Sequence, residues 1–465
     1  MLNVSDLFKI KNCEVRSIGK NELSFKKKYK GVSIDSRNVK RGEIFFAIKG
    51  ENTDGHRFLK EASANGAEAF VISKKWFNRN KNSLKGGSYF LTDDTTLALG
   101  EFANIHRNRF SIPVICIGGS NGKTTTKDLT AAVLSQKYNV LKTEGNFNNH
   151  IGLPLTLLRL RESHEICVLE AGCNHFGEMN YLCKVAEPQY GMITNIGKEH
   201  LEFFRNLKGV VKAEFELYEY LKHKKSSYMF FNKDDEFIRN FSKDISRKKK
   251  LTYAYGYNAD VRGKFAGYNE KFQPGIEIAF GKLKFRIEIS TFGKHSIYNG
   301  LSAASIGLHF KISPGKISNA LKNFKPASSK RMEIINHKGV TYINDTYNSN
   351  PESVRMGLDT LMEYKSKGRK FAVISDMLEL GKSSRREHTE AGKYAAALKP
   401  DFLITTGKES EQIFKGAREL KNNIYFKEKE SMITMLKAVI KRGDVVYVKG
   451  SRGMKMEDVI SGIIN

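Results

Sequence analysis

A nine-residue stretch that begins at Gly118 constrains this chain more than any other part of it. Residues 118–126 read Gly-Gly-Ser-Asn-Gly-Lys-Thr-Thr-Thr, after the apolar run 113–117 and before a helical pattern that extends to about Ser135. Glycines let backbone N–H groups approach phosphate oxygens, Lys123 adds a positive charge, and Thr124 offers a hydroxyl to Mg²⁺. The stretch therefore predicts a phosphate-binding loop between a buried strand and a helix.

The predicted loop is one residue tighter than the common eight-residue pattern, because position 117 is Ile where that pattern has Gly. A glycine turn that binds nothing is the alternative, and the strand before the loop and the helix after it argue against that alternative. The residues that we expect to contact a bound nucleotide here are Gly119, Ser120, Asn121, Gly122, Lys123, Thr124 and Thr125.

Length and cysteine usage limit the class of protein. A chain of 465 residues should hold two to four domains, each able to bury its own core. No apolar run reaches transmembrane length and no signal-peptide pattern is present, so we expect a soluble, cytoplasmic protein. Five cysteines without a Cys-x-x-Cys spacing argue against a disulfide framework or a zinc ribbon, and Cys116 and Cys167 should lie in the core.

The net charge of +28 suits anionic partners. The lysines are scattered, however: the longest runs are 26–28 and 248–250, and no basic helix is interleaved with aromatic residues. This distribution favours a phosphate-bearing substrate over a nucleic-acid-binding face.

The order of apolar and polar segments indicates an α/β protein in three parts. Segment 1–92 mixes strand-like runs at 44–48 and 69–72 with a helix near 58–65, and the polar stretch 74–88 is predicted to be a loop. Segment 93–324 alternates strands, including 165–170 and 191–194, with helices around the phosphate loop, and carries a β-rich insert at about 251–292. Segment 325–465 alternates again, which predicts a parallel sheet covered on both faces, with strands at 340–344, 371–375, 402–405, 424–426 and 445–448.

Two residues at predicted strand ends could serve a magnesium ion beside the phosphate loop. Glu170 ends the apolar run 166–169, so its carboxylate should emerge at the carboxyl edge of the sheet, where open α/β sheets bind ligands. His200 follows the next predicted strand in the same way. Taken alone, His200 would more often be a hydrogen-bonding loop histidine than a ligand, but its position after a strand beside the phosphate loop favours the ligand.

The helical segment 209–223 places an acid on an apolar face. Val210, Glu214, Leu217 and Leu221 share one face at helical spacing, whereas the neighbouring charged residues have a solvated face available. A buried carboxylate is unfavourable unless it is paired or bound to a metal. Glu214 is therefore a candidate metal ligand, with a hydrogen-bonded structural role near a helix start as the alternative.

Motifs along nearly the whole chain resemble those of the Mur ligase family. Segments 34–37, 42–47 and 54–58 resemble its uridine-nucleotide domain, and the tight Gly-Lys-Thr loop is similar to its ATP site. Within the family, the motifs resemble the member that adds D-alanyl-D-alanine to a UDP-N-acetylmuramoyl tripeptide. The segments that carry this closer resemblance are 144–154, 170–179, 295–299, 331–333, 344–351, 376–381 and 449–452.

The resemblance implies three domains: an N-terminal α/β nucleotide-sugar domain (1–92), a central P-loop ATPase-type parallel sheet with a β-rich insert (93–324) and a C-terminal Rossmann-like domain (325–465). It implies an ATP-dependent ligase that works through an acyl phosphate, with ATP and Mg²⁺ as cofactors. The expected partners are UDP-N-acetylmuramoyl-tripeptide and D-alanyl-D-alanine. We expect a monomer without a membrane span that binds no nucleic acid.

The resemblance also implies residue roles. Lys123, Glu170, His200 and Glu214 would be catalytic, with Thr124 and Glu170 on a first Mg²⁺ and His200 and Glu214 on a second. Asn299 would meet the adenine, and Arg331 and Asp345 would approach phosphate and ribose. Expected substrate contacts, with ordinary turn chemistry as the alternative for 35–37 and 146–149, are Asp35, Ser36, Arg37, Asn146, Asn148, Asn149, Tyr347, Asn348 and Asn350.

One position departs from the family pattern. Glu214 stands where the family carries a lysine that CO₂ carbamylates into a metal-binding acid. A glutamate is already an acid, but its side chain is shorter than a carbamylated lysine. Three alternatives to the ligase stay open: a folylpolyglutamate synthase-like enzyme, which would lack the N-terminal uridine-nucleotide domain; a basic P-loop nucleic-acid-binding protein; and an inactive scaffold.

Overall fold

The structure is a computed structural model, and it describes residues 1–18, 26–84, 86–326 and 330–465. The described residues form three larger sheets that follow one another along the chain, together with a two-stranded pair near the N-terminus. Each larger sheet carries helices, as the alternating sequence pattern predicts. No helix in this described part is both long and apolar enough to cross a membrane.

The N-terminal sheet has the strand order β2-β7-β6-β5-β4, and only β2 runs antiparallel to its neighbour. Strands β1 and β3 form the separate pair. Helix α4 leads from this sheet into the central one. The elements are β1 Leu2–Asn3, α1 Val4–Leu7, β2 Glu14–Ile18, β3 Lys28–Tyr29, β4 Gly31–Ser33, β5 Glu43–Phe46, α2 Leu59–Ala64, β6 Ala67–Ser73, α3 Lys74–Asn80, β7 Gly87–Thr92 and α4 Thr95–Arg107.

The central sheet has the order β16-β15-β14-β13-β12-β11-β8-β10-β9 and is parallel from β9 to β14. Its strands are β8 Val114–Gly118, β9 Val140–Lys142, β10 Ile166–Glu170, β11 Tyr190–Ile193, β12 Tyr228–Asn232, β13 Lys250–Ala254, β14 Val261–Tyr268, β15 Pro274–Phe280 and β16 Leu283–Glu288. Its helices are α5 Lys123–Leu134, α6 Gly152–Leu157, α7 Glu178–Ala186, α8 Leu201–Phe204, α9 Leu207–Glu214, α10 Glu216–Lys222, α11 Glu236–Ser242, α12 His295–His309 and α13 Pro314–Lys322.

Strand β8 shows why this sheet is buried on both faces. All of its residues are buried, and alternate side chains enter two different cores. Val114 and Cys116 belong to the core that includes α7 and α10, while Ile115 and Ile117 pack with α5 and α12. An unbroken apolar run is what a strand with two covered faces requires.

The C-terminal sheet has the order β17-β18-β22-β19-β20-β21, and it is parallel except for the edge strand β17. The elements are β17 Glu333–His337, β18 Val340–Asp345, α14 Pro351–Glu363, β19 Lys370–Ser375, α15 Ser384–Leu398, β20 Phe402–Thr406, α16 Glu411–Gly416, β21 Asn423–Phe426, α17 Lys429–Val439, β22 Val445–Lys449 and α18 Glu457–Ile464.

The prediction of a loop over 74–88 is wrong, because this polar stretch begins with helix α3 and continues into a 3₁₀ turn at Lys81–Ser83; residue 85 lies outside the described residues. Two aromatic residues explain the helix: Phe77 is buried in the N-terminal core, and Trp76 stacks on His56. The many lysines and asparagines around them conceal this short apolar face in the sequence. The β-rich insert predicted at about 251–292 is not a separate unit, because its strands β13 to β16 extend the central sheet.

Candidate active site

A cleft of about 340 Å³ lies between the central and C-terminal sheets. It opens at the carboxyl ends of β8, β10 and β11 on one side and of β18, β19 and β22 on the other. The sequence-predicted residues that line it are Ser120, Asn121, Gly122, Lys123, Thr124, Thr125, Asn146, Asn148, Glu170, His200, Asn299, Arg331, Asp345, Tyr347, Asn348 and Asn350. Carboxyl ends of parallel strands are where α/β sheets bind ligands.

The phosphate loop requires its glycines. Gly119 and Gly122 both have positive φ angles, of 111° and 80°, in which side chains other than hydrogen are strained. A Cβ at Gly119 would lie 2.3 Å from the Thr194 hydroxyl, and one at Gly122 would lie 2.4 Å from Asn299 Oδ1. The loop backbone therefore packs against two neighbouring segments more closely than any larger residue would allow.

The segment after β11 holds this loop in place. The backbone N–H of Asn121 donates to Asn195 Oδ1 at 3.0 Å, and the Thr194 hydroxyl donates to the Asn121 carbonyl at 2.7 Å. The Ser120 hydroxyl accepts from the N–H of Gly197 at 2.8 Å. With these groups satisfied from behind, the loop is fixed at the cleft before any ligand enters.

Lys123 lies at the start of α5 with its ammonium 3.3 Å from Glu199 Oε2. Burial alone would lower the pKa of Lys123, but the carboxylates of Glu199, Glu214 and Glu170 outweigh burial and raise it above its ordinary value. The ammonium is therefore fully charged at neutral pH. The ammonium lies near these three carboxylates, and a more negative group such as a phosphate could replace them as its partner.

Glu170 and Thr124 meet as the sequence predicts. The Thr124 hydroxyl donates to Glu170 Oε1 at 3.1 Å, and the Asn148 amide donates to the same oxygen at 2.8 Å. The other oxygen, Oε2, is buried without a hydrogen-bond partner among the described residues. A buried, unpartnered carboxylate oxygen beside a threonine hydroxyl is the donor set that a nucleotide-bound Mg²⁺ would take.

Glu214 is buried, with 1% of its surface exposed, among Val210, Leu217 and Leu221. This burial confirms the predicted apolar face, although the segment predicted as one helix over 209–223 divides at Phe215 into α9 and α10. Its Oε2 accepts the backbone N–H of Gly119 at 2.6 Å, and its Oε1 lies 3.8 Å from the Cys173 thiol. Burial raises the pKa of Glu214 to about 7 against the opposing charge of Lys123. The Glu214 carboxyl thus contacts the backbone of the phosphate loop, and Glu214 is not among the described residues that line the cleft.

His200 bridges the two domains. Its Nδ1 lies 2.6 Å from Glu379 Oε2 of the C-terminal domain, and its Nε2 lies 3.9 Å from Glu199 Oε2. His200 and Glu379 both have left-handed backbone angles, with φ of 48° and 63°. Such strain in non-glycine residues is held only where the surrounding structure fixes it, and it concentrates at functional sites.

Further contacts close the C-terminal domain on the central one. The Asn350 amide donates to Asn121 Oδ1 at 2.9 Å, so the cap of α14 touches the phosphate loop directly. Lys198 pairs with Glu387 at 2.8 Å, while its backbone N–H donates to Glu352 Oε2 at 3.0 Å. The cleft therefore has walls from both domains.

The C-terminal wall carries the residues expected near phosphate and ribose. The Arg331 guanidinium lies 3.8 Å from the centre of the Tyr347 ring. Lys449 donates to Asp345 Oδ2 at 2.5 Å and to the Asn348 carbonyl at 3.0 Å. On the opposite side, the Thr126 hydroxyl donates to Asn299 Oδ1 at 3.2 Å, which anchors Asn299 to α5.

Besides Gly119 and Glu214, four predicted residues lie apart from this cleft lining. Asp35 caps the 3₁₀ turn Ser36–Asn38 and accepts from Arg37 Nη2 at 2.8 Å, and this contact lowers the pKa of Asp35 to about 2. The Ser36 hydroxyl donates to Glu61 at 2.6 Å. Asn149 accepts the N–H groups of Ile151 and Gly152 at the start of α6. Turn chemistry thus occupies Asp35 and Asn149, and Ser36 is bound to helix α2, while the Arg37 side chain stays 78% exposed.

Sequence reasoning missed several residues that line the cleft or support the segments that line it. Glu199, which pairs with Lys123, is adjacent to His200 in the chain and was open to the same strand-end argument. Lys449 ends β22 in the same way and lies inside the segment 449–452, which carries part of the family resemblance. Asn195 and Glu352 carry no signal in the sequence, because their roles depend on contacts between distant segments.

In the part of the chain that the structure describes, no group of three or more His, Cys, Asp or Glu side chains is placed to hold a metal ion. Mg²⁺ on a nucleotide needs only one or two protein ligands, since phosphate and water supply the rest. The donors at Glu170 and Thr124 are sufficient for that role.

A phosphate loop at the carboxyl edge of a parallel sheet, with a second sheet across the cleft from it, is typical of a nucleotide-dependent multidomain enzyme. Family models match most of this chain: the Mur ligase catalytic domain over residues 28–105, the Mur ligase middle domain over 117–307 and the Mur ligase glutamate ligase domain over 330–452. A UDP-N-acetylmuramoyl-tripeptide–D-alanyl-D-alanine ligase of Bacillus subtilis (strain 168) is 34% identical over 438 residues, which are 93% of each chain. The chain belongs to the Mur ligase family.

Solved structures agree with this assignment. A crystal structure of MurF from Acinetobacter baumannii superposes with a TM-score of 0.87 at 27% identity, over 100% of this chain and 98% of that one. MurF from Thermotoga maritima in complex with ADP gives a TM-score of 0.80 at 28% identity, over 93% and 96%. The three-domain α/β fold is therefore that of a Mur ligase.

Proposed function

We propose that this chain is an ATP-dependent ligase that joins D-alanyl-D-alanine to UDP-N-acetylmuramoyl-tripeptide in the synthesis of peptidoglycan precursors. The observation that carries the proposal is the cleft, in which a phosphate loop, Lys123, Glu170 and the C-terminal residues Arg331 and Asp345 face one another. The printed descriptions of relatives that align over 93% of this chain support the choice of substrates. The proposal includes a monomeric, cytoplasmic enzyme.

The reaction has two steps. A terminal carboxylate oxygen of the tripeptide attacks the γ-phosphorus of ATP, which breaks the bond to ADP and gives an acyl phosphate. The amine nitrogen of D-alanyl-D-alanine then attacks the acyl carbon, and phosphate and a proton leave as the amide forms. Both steps concentrate negative charge on phosphoryl oxygens, so fixed positive groups at those oxygens lower the barrier.

Lys123 is the group that meets this charge. Lys123 lies at the start of α5, and the ion pair with Glu199 already positions its ammonium at the cleft. Little reorganisation is therefore needed when the ammonium binds a phosphoryl oxygen. The backbone N–H groups of the loop, including that of Gly122, would cradle the remaining phosphate oxygens. Asn299, Arg331 and Asp345 would hold the nucleotide at its other end.

Glu170 and Thr124 would hold Mg²⁺, which when bound neutralises phosphate charge and aligns the transferring group. Asn148 supports this role from the loop after β9, because its amide fixes Glu170 Oε1 and leaves Oε2 open. A second Mg²⁺ between His200 and Glu214 remains part of the proposal. Glu199, whose carboxylate lies 3.3 Å from Lys123 and 3.9 Å from His200, is an oxygen ligand that could assist it.

The N-terminal domain would bind the uridine nucleotide through the 35–37 turn. Arg37 is the residue of this turn whose side chain is mostly exposed, so it can reach a pyrophosphate.

Contacts between the central and C-terminal domains would exclude water, which would otherwise hydrolyse the acyl phosphate. His200 and Glu379 form one of these contacts, and Asn121 and Asn350 form another.

The proposal is tested by phosphate release from ATP with UDP-N-acetylmuramoyl-tripeptide, with and without D-alanyl-D-alanine. We expect turnover only when both substrates are present, together with a product whose mass equals their sum less one water. L-alanyl-L-alanine is the matched control and should give little turnover. Equal turnover with a folate and glutamate, or nucleic-acid binding without dipeptide-dependent turnover, would reject the proposal.

A further inference from the structure

Lys127 is a buried lysine that the proposed reaction leaves without a role. It lies on α5, one turn after Lys123, and only 1% of its side-chain surface is exposed. Its ammonium donates to the backbone carbonyl of Thr143 at 2.7 Å and lies 3.0 Å from Asp128 Oδ1. Buried lysines are rare unless they are paired, because the charged ammonium loses its hydration.

Thr143 is the point at which β9 ends and the loop 144–151 begins. Its N–H donates to the Val168 carbonyl at 3.1 Å, which extends the pairing between β9 and β10 by one residue. Its hydroxyl accepts the backbone N–H of Glu170 at 3.0 Å. One residue therefore contacts both the ammonium of Lys127 and the main chain of the candidate magnesium ligand.

The same loop returns to Glu170 from the other side. Asn148, five residues after Thr143, donates its amide to Glu170 Oε1 at 2.8 Å. The position of Asn148 depends on where the loop starts, and Lys127 fixes that start relative to α5. The helix that begins with Lys123 is thus connected through Lys127 and Thr143 to both the backbone and the carboxylate of Glu170.

A purely stabilising role does not require this arrangement. Lys142 also pairs with Asp128, at 2.5 Å, and its side chain is partly exposed, so Asp128 has a counter-ion without Lys127. A methionine of similar length would fill the same space without a desolvated charge. What the ammonium adds is a directed bond to a main-chain carbonyl.

We propose that Lys127 is a positioning residue for magnesium binding, which acts through Thr143 to align Glu170 and the loop 144–151 with the phosphate loop. The inference rests on the proposed function only in taking Glu170 as a ligand of nucleotide-bound Mg²⁺. Groups that orient metal ligands from behind change metal affinity by about 10- to 100-fold when they are removed.

The experiment measures the Mg²⁺ dependence of ADP binding by calorimetry on the full chain, together with the melting temperature. Lys127→Met removes the donor and keeps the length of the side chain, while Lys127→Arg keeps a charged donor. We expect the Met variant to weaken the apparent Mg²⁺ affinity by about tenfold. We expect the Arg variant to recover part of that loss. Lys137→Met, an exposed change beyond the end of α5, should leave the affinity unchanged.

A second pair of variants tests the link to Glu170. Thr143→Val deletes the hydroxyl that accepts the Glu170 N–H, and Thr143→Ser retains it. Val should weaken Mg²⁺-dependent ADP binding in the same direction as Lys127→Met, and Ser should not. If Lys127→Met does not fold, Lys127→Gln, which falls one bond short of the carbonyl, is measured in its place.

Two results would overturn the inference. One is a Lys127 variant with a lowered melting temperature but the Mg²⁺ affinity of the wild type, which would make Lys127 merely structural. The other is equal Mg²⁺ affinity for the Val and Ser variants at position 143. Because ADP binding needs neither tripeptide nor dipeptide, failure of the proposed ligase reaction would appear only in the wild-type turnover assay and stays distinguishable.

Discussion

Glu214 Oε2 accepts a hydrogen bond of 2.6 Å from the backbone N–H of Gly119, so the last residue of α9 is bound to the phosphate loop. This contact gives Glu214 a structural role in addition to the metal role implied by its position in the family pattern. The two roles make different demands on the side chain. Accepting an N–H needs only an oxygen, whereas taking the place of the family's carbamylated lysine on Mg²⁺ calls for a negatively charged oxygen.

Glu214→Gln separates these two roles, because the amide keeps an oxygen for Gly119 and loses the charge. If Glu214 serves the second Mg²⁺, we expect slower turnover and a dependence on Mg²⁺ shifted to higher concentration. The measurement is the rate against Mg²⁺ concentration for the wild type and the variant. Glu216→Gln, a nearby change of the same charge, is the control, and superimposable curves for wild type and Glu214→Gln would reject the metal role.

Activity should not depend on added bicarbonate. A glutamate at position 214 carries its carboxylate already, so no carbamate has to form on it. Rates measured in CO₂-free buffer and in buffer with bicarbonate should agree within error. Glu214→Lys should instead be active only with CO₂, and a wild type that responds to bicarbonate would show that another lysine is carbamylated.

Lys123→Ala should reduce turnover by on the order of 10²-fold or more, because a fixed charge on the transferring phosphoryl group is lost. The fold should persist, since Lys123 lines the cleft and is not part of a hydrophobic core, although Glu199 loses its ion-pair partner. Steady-state kinetics and circular dichroism of the same preparation provide the measurement. A well-folded variant with near-normal turnover would place Lys123 outside the reaction.

The central and C-terminal sheets could be predicted from the sequence because their strands are apolar on both faces. The predicted strand at 371–375 differs by one residue from Lys370–Ser375, and the one at 445–448 differs by one from Val445–Lys449. Glu170 could be placed for the same reason, since a charged residue that directly follows a buried run must emerge at the sheet edge.

What the sequence could not provide depends on long-range contacts. Glu379 lies close to His200 only because the C-terminal domain packs on α8, where the Glu202 N–H donates to the Glu379 carbonyl. Helix α3 was missed because Trp76 and Phe77 are adjacent rather than spaced three or four residues apart, so no helical periodicity is visible. Local sequence patterns predict helices, strands and the residues at strand ends, but they carry no information about which strand ends lie side by side in the fold.

Arg37 provides a test of the N-terminal substrate contact. Arg37→Met should raise the KM for the UDP-tripeptide by roughly tenfold, because one charge-assisted contact to an anionic substrate is lost. The KM for ATP and the melting temperature should change little, since the side chain is 78% exposed. Arg16→Met, which also removes an exposed arginine paired with a nearby acid, is the control. An unchanged KM for the UDP-tripeptide would restrict the 35–37 segment to turn chemistry.

The lowered pKa of His106 predicts how the free energy of unfolding changes with pH. It is buried on α4, where desolvation lowers its pKa from 6.5 to about 4. The unfolded chain therefore binds a proton near pH 6.5 that the folded chain binds only near pH 4. Between these values the unfolded state holds more protons, so stability falls as pH falls, by on the order of 3 kcal/mol across the window.

His106→Gln removes this titration while keeping an amide that can donate to the Leu160 carbonyl, which lies 3.2 Å from His106 Nε2. The melting temperature of the variant should fall less than that of the wild type between pH 6.5 and pH 4, and above pH 6.5 the two curves should run parallel. The comparison isolates His106, because the other histidines whose pKa the fold lowers, His164, His295, His309 and His388, titrate equally in both proteins. Identical acid-dependent slopes would mean that His106 is hydrated, or takes up its proton, in the folded state.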